Sequence, residues 1–191
     1  GRLQPSARRV LARGELRLSA GYPGLKTIRE RSVEAGGLRF GLLEAGDEGE
    51  PLVLCLHGFP DSAWTWRHLL PALAQAGHHA AAPFLRGYAP TDLAADGRYG
   101  IAELADDALA LDEALRGDEA TVLIGHDWGA AAVYGALRKE PGRWRCAVAA
   151  AVPPAGGYSI DSISLPQMRR SWYSFLFQLP DVAVSERLAA A

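Results

Sequence analysis

The pentapeptide Gly125-His126-Asp127-Trp128-Gly129 lies between an apolar run, Ala120-Thr121-Val122-Leu123-Ile124, and a run of small residues, Ala130-Ala131-Ala132-Val133-Tyr134. This pattern reads as a strand, a turn too tight for bulky neighbours, and a helix, with the Asp127 side chain at the apex. A carboxylate is ionised at neutral pH without help from a base. It can attack an sp³ carbon and form an alkyl-enzyme ester, so the chemistry indicated is displacement at carbon. Alone, the pentapeptide is also ordinary turn chemistry, because Asp favours turns that follow strands.

A second motif lies upstream. Pro51-Leu52-Val53-Leu54-Cys55-Leu56 reads as a fully buried strand and runs directly into His57-Gly58-Phe59-Pro60. His57-Gly58-Phe59-Pro60-Asp61-Ser62, Trp64 with Trp66-Arg67, Arg86-Gly87-Tyr88 and the Asp127 pentapeptide, in this order, resemble the epoxide hydrolase branch of the α/β-hydrolase fold. The resemblance covers the chain from about Ser32 to Leu188 and is far more specific than any one motif. It implies that Asp127 is the nucleophile of a nucleophile elbow and that the backbone N–H groups of Phe59 and Trp128 form an oxyanion hole. His57, Gly58, Pro60, Gly125, His126 and Gly129 are then motif residues with structural roles. The family often carries Pro-Asp-x-Arg-Gly where this chain has Pro83-Phe84-Leu85-Arg86-Gly87, a departure that bears on local loop structure. The elbow geometry predicts a positive φ at Asp127 and a carboxylate facing the Phe59 loop.

The elements that must position these groups alternate along the chain. Arg31–Glu34 and Leu38–Glu44, joined at Ala35-Gly36-Gly37, read as a hairpin, because paired glycines permit positive φ in the turn. After the Pro51–Leu56 strand, Ser62–Ala76 shows helical spacing and ends at Gly77, and a strand follows over His78–Ala82. Pro83–Arg98 is a loop rich in Gly, Pro and Asp, and helical periodicity resumes over Ile101–Leu115. A Thr121–Ile124 strand, the elbow, a helix to Glu140 and a strand at Cys146–Val152 complete the series. The fold class expected is α/β: an α/β-hydrolase fold with a mostly parallel sheet, helices on both faces and an antiparallel hairpin at one edge. Expected domains are an N-terminal extension over residues 1–28, a hydrolase core over 29–152, and the start of a helical cap over 153–191.

Aromatic residues crowd the stretch from Leu165 to Leu179, which on its own is an amphipathic helix packing its rings. The resemblance implies the first cap helix, with Tyr173, four residues before Phe177-Gln178, at the position of a cap tyrosine. A phenol is protonated at neutral pH and can donate to an epoxide oxygen as the ring opens.

Formal charge is −2, which gives no electrostatic case for nucleic acid or an anionic membrane. No apolar run approaches the roughly 18 residues that span a bilayer. The two cysteines, Cys55 and Cys146, fall in expected strands and read as buried reduced thiols, which suits the cytoplasm. No metal site or cofactor is called for. The partner implied is a small apolar epoxide or halogenated substrate.

Hydrolysis of an alkyl-enzyme ester needs a water activated by His, itself oriented by an acid, and in this fold both follow the nucleophile. No histidine follows Asp127; Asp161 and Asp181 are acids but fall in the expected cap. The expectation is a chain that lacks the C-terminal part of the fold and alkylates itself once. Two alternatives stay open: a haloalkane or haloacid dehalogenase with the same Asp elbow, and a catalytically dead hydrolase fold that binds a ligand or a protein. A serine esterase is disfavoured because no serine occupies the apex.

Overall fold

A computed structural model of the chain describes residues 27–154 and 164–173. The chain divides into two compact units between Val152 and Pro153. In the first unit, strands β1 (Arg29–Ala35), β2 (Leu38–Ala45), β3 (Leu52–Leu56), β4 (His79–Pro83), β5 (Val122–His126) and β6 (Cys146–Ala150) form one sheet. Its order is β1-β2-β4-β3-β5-β6. The four strands from β4 to β6 in that order run parallel, and β1 and β2 form an antiparallel edge. The hairpin turn is built on Gly36 and Gly37, at φ +55° and +81°, as the glycine pair predicts.

Helices α1 (Leu69–Gln75), α2 (Ile101–Ala114) and α3 (Trp128–Lys139) supply the packing layers. Successive strand residues point to opposite faces, so the sheet has two cores. Leu42, Leu54, Leu56, Ala81 and Leu123 pack with Leu104, Ala108 and Leu111 of α2 and Val133 of α3. Leu43, Val53, Cys55, Ala80 and Ala82 pack with Leu70 of α1 on the other side. This explains why every residue of β3 is buried and why its sequence is continuously apolar. Burying each Leu of this kind contributes about 1.5–3 kcal/mol.

Two expectations need correction. The helix expected over Ser62–Ala76 is broken into a 3-10 turn at Ala63–Trp66 and α1. Pro71 accounts for the break: it has no N–H, and its ring would clash with the carbonyl four residues back, at Arg67, so it fits only in the first turn of a new helix. Cys146 is exposed, whereas Cys55 is buried. β6 is the last strand in the order and alternates between exposed and half-buried positions, so its apolar composition does not report burial. Elsewhere strand and helix ends shift by one or two residues.

The expected N-terminal extension lies outside the described residues up to position 26, while Ile28 packs against the second core. In the second unit, α4 (Leu165–Arg170) starts where the Ser164 side chain accepts a hydrogen bond from the Gln167 N–H, with a proline in its first turn. Phe177, Gln178, Pro180 and both acids, Asp161 and Asp181, lie outside the described residues.

Candidate active site

β5 ends at His126 and α3 begins at Trp128, so the chain reverses on one residue. Asp127 has φ +55° and ψ −115°, the positive φ that the motif predicts and a conformation costing a non-glycine residue about 1–3 kcal/mol. The flanking glycines make the turn possible. A Cβ on Gly125 would lie 2.2 Å from the Gly129 carbonyl oxygen, and one on Gly129 would lie 2.1 Å from that of Leu56. Strand, helix and the end of β3 therefore touch backbone to backbone. The Asp127 N–H donates to the Ala150 carbonyl at 3.2 Å, and its carbonyl accepts from Ala131 N–H at 3.2 Å.

The loop after β3 holds the carboxylate from the other side. The Phe59 N–H donates to Asp127 Oδ1 at 3.0 Å, while no described residue hydrogen-bonds Oδ2. Gly58 lies close against the same side chain, since a Cβ there would come 2.4 Å from the Asp127 Cβ. Trp128 opens α3, so its N–H is one of the donors that helix geometry leaves without an intrahelical acceptor.

His57 is fully buried, with both ring nitrogens engaged. Nε2 accepts from the Leu85 N–H at 3.0 Å, so it must carry the lone pair. Nδ1 then bears the proton and donates to the Gly58 carbonyl at 2.9 Å. Burial holds its pKa below the ordinary histidine value, against the Gly58 bond and the Asp61 charge. This ring ties the loop after β3 to the loop after β4. The Tyr88 ring meets it edge-on at 4.7 Å, and burial, with the Asp127 charge, pushes the Tyr88 phenol up.

The loop after β4, where Phe84 follows Pro83, is tied to β2 and to α2. Phe84 packs into the second core, its N–H donates to the Gly41 carbonyl at 2.9 Å, and its carbonyl accepts from Thr91 Oγ1 at 2.5 Å. Arg86 is anchored to α2: Nε and Nη2 donate to the two oxygens of Asp107 at 2.5 and 2.6 Å, and Nη1 donates to the Arg98 carbonyl at 2.8 Å. Burial pushes the Asp107 carboxyl up and the guanidinium opposes that shift, while Asp107 holds Arg86 more firmly protonated. The two-pronged geometry, with both carboxylate oxygens accepting, is that of the ionised pair.

Between these loops lies a cavity of about 530 Å³ lined by Phe59, Leu85, Tyr88, Tyr99, Leu104 and Trp128, among others. The sequence motifs named Tyr88 without a role and missed Tyr99 and Asp107. Asp107 left a signal: it interrupts the apolar stripe Leu104, Ala108, Leu111 at i+3, where a charge requires a buried partner.

Of the other residues singled out by sequence, Pro60 follows a cis peptide bond after Phe59, and His126 has Nδ1 buried without a hydrogen-bond partner among the described residues. Tyr173 belongs to the second unit, and Asp127 to the first. His79 is buried and pairs with Glu44 at 3.2 Å, away from these loops on β4 and β2. Among the described residues no His, Cys, Asp and Glu cluster could hold a metal ion, and no helix is long and apolar enough to cross a membrane.

A family model described as alpha/beta hydrolase fold matches residues 51–182. Epoxide hydrolase A of Mycobacterium tuberculosis is 37% identical over 161 residues, which cover 82% of this chain and 50% of that protein. Epoxide hydrolase 3 of Mus musculus is 38% identical over 152 residues, 78% of this chain and 40% of that protein. The crystal structure of epoxide hydrolase A from Mycobacterium thermoresistibile superposes with a TM-score of 0.68 at 38% identity, covering 82% of this chain and 50% of that one. The chain thus spans about half the length, or less, of the relatives it matches. It belongs to the alpha/beta hydrolase fold family, and the relatives it resembles over that length are epoxide hydrolases.

Proposed function

We propose that this chain carries the nucleophile half of an epoxide hydrolase site, with Asp127 attacking an epoxide carbon. The observation that carries the reading is the division of labour on one carboxylate: Oδ1 is tethered by the Phe59 N–H at 3.0 Å while Oδ2 accepts from no described residue, and both Phe59 and Trp128, the next residue in the chain, line a cavity. Oδ2 forms the new C–O bond as the ring C–O bond breaks. The oxirane oxygen leaves as an alkoxide and takes a proton from a phenol, the role assigned to Tyr173. The product is a β-hydroxyalkyl ester of Asp127. The N–H groups of Phe59 and Trp128 are assigned as the oxyanion hole, which stabilises negative charge when that ester is attacked. His57, Gly58, Pro60, Gly125, His126 and Gly129 build the loops, and His57 has no ring nitrogen left for catalysis.

On these 191 residues the ester would persist, because its hydrolysis needs a base and none of the five histidines follows Asp127. Two free cysteines fit a reducing, cytoplasmic setting. Peptide mapping after incubation with styrene oxide, with the exposed Cys146 thiol blocked beforehand, tests the reading: one added substrate mass on the peptide that holds Asp127 is expected, lost in Asp127→Ala. A haloalkane such as 1-bromohexane serves as the comparison, since the exposed Trp128 indole could face a departing halide. Labelling by the haloalkane and not by the epoxide would move the assignment to a dehalogenase, and labelling by neither would favour a binding protein.

A further inference from the structure

Asp127 shares its backbone strain with a second residue. Among the described residues three other than glycine have a positive φ: Arg116 at +60°, Asp127 at +55° and Ala151 at +72°. Arg116 follows the last turn of α2, where chains commonly pass through the left-handed region. No helix ends at Ala151. It follows the last residue of β6 as Asp127 follows the last residue of β5, and these two strands pair side by side in parallel. A left-handed backbone disfavours any residue with a Cβ, and it persists where the surroundings hold it from more than one side; such residues gather at functional sites.

Ala151 lies between two carbonyls that are both held. That of Ala150 accepts from the Asp127 N–H at 3.2 Å, and that of Val152 accepts from Tyr134 Oη at 2.9 Å. Tyr134 stands two turns along α3 from the apex. The path closes on itself: from Asp127 along α3 to the phenol, across to Val152, and back through Ala151 and Ala150 to the Asp127 N–H. Freed at Val152, Ala151 would relax toward negative φ, and part of that rotation would fall on the Ala150–Ala151 peptide, whose oxygen is the acceptor for Asp127. Tyr134 does not line the cavity beside Asp127, so its phenol works on the backbone and not on a substrate.

We propose that Tyr134 is a positioning residue for the attack by Asp127. Its hydrogen bond to Val152 holds Ala151 in the left-handed region and keeps the Ala150 carbonyl aimed at the Asp127 N–H. The apex is thereby fixed from β6, while the Phe59 N–H fixes the carboxylate from the loop after β3. The proposal rests on Asp127 as the nucleophile and adds a second, remote tether to that reading.

The test combines the rate at which styrene oxide labels the Asp127 peptide with hydrogen exchange of the Asp127 amide by NMR, and thermal unfolding checks that each form is folded. Tyr134→Phe removes only the hydroxyl. It should label about tenfold slower, part of the roughly 100-fold that a misplacement of about 1 Å costs at a reacting group. Its Asp127 amide should exchange at least about fivefold faster, as a locally opened site does. Glycine takes a positive φ without penalty, so Ala151→Gly should label at the wild-type rate and Tyr134→Phe/Ala151→Gly should recover most of the loss. Ala151→Val puts a β-branched residue at the same φ, at an exposed position, and should slow labelling and speed exchange as Tyr134→Phe does. A tyrosine that only stabilised α3 would lower Tm equally with Ala or Gly at 151 and leave labelling unchanged. Wild-type labelling and exchange in folded Tyr134→Phe or Ala151→Val, or a Tyr134→Phe loss that is the same with Gly at 151, would overturn the clamp and leave the nucleophile standing. If the wild-type chain takes up no epoxide, the nucleophile reading falls instead and amide exchange decides the clamp: faster in Tyr134→Phe and restored by Ala151→Gly supports it, and no change overturns it.

Discussion

Gly58→Ala adds one methyl group at a point where the structure has no room. A Cβ there would lie 2.4 Å from the Asp127 Cβ, 2.8 Å from Oδ1 and 2.8 Å from the His126 carbonyl oxygen. Carbon atoms in contact sit about 3.5–4.0 Å apart, so the two side chains must separate by about 1 Å or more. The Phe59 N–H to Oδ1 bond, 3.0 Å long, would stretch to about 3.6 Å or beyond, where it no longer counts as a hydrogen bond. A misplacement of about 1 Å at a reacting group costs about 100-fold in rate. The fold should suffer less, because Gly58 does not occupy the left-handed region, and overpacking alone costs about 1–3 kcal/mol. The assay is the rate of Asp127 labelling by styrene oxide, with thermal unfolding as the check on folding. A folded Gly58→Ala that labels at the wild-type rate would refute the claim that this contact aims the carboxylate.

Three further outcomes follow from the same geometry. His57→Ala leaves the Leu85 N–H without its acceptor in the core, a loss of about 1–3 kcal/mol by denaturant titration. Because burial lowers its pKa, His57 contributes fully above the ordinary value of 6.5, and that contribution is lost as pH falls toward the lowered folded value; wild-type Tm should drop there and the drop should shrink in His57→Ala. Asp107→Ala strands the Arg86 guanidinium, whose side chain is 9% exposed, and should cost about 3–5 kcal/mol, with stability returning in the double variant Arg86→Leu/Asp107→Leu. Maleimide should modify exposed Cys146 in the native protein and spare Cys55, whose thiol burial pushes up to about 12, until denaturant is added.

The sheet and the turn at Asp127 were readable because their causes are local. β3 declares itself by five consecutive apolar residues, the hairpin by Gly36-Gly37, and the apex by two glycines whose missing side chains let backbones touch. The helix over Ser62–Ala76 misled because apolar spacing continues across Pro71 while the backbone cannot. Cys146 misled because apolar content reports burial only where both faces of a strand are covered. The cavity wall was illegible for a different reason. Tyr99, Leu93 and Leu104 line the cavity with Phe59 and Trp128 through tertiary contacts such as the Arg86–Asp107 pair, and no sequence spacing encodes a contact between a loop and a helix 21 positions apart.

The central claim is that Asp127 is the carboxylate that attacks, and fragmentation mass spectrometry of the styrene oxide-treated chain tests it residue by residue. The tryptic peptide Gly117–Arg138 contains Asp118, Glu119 and Asp127, so it carries its own controls. One substrate mass confined to Asp127 is the result expected. Modification of Asp118 or Glu119 with Asp127 untouched, in a folded sample, would contradict the account.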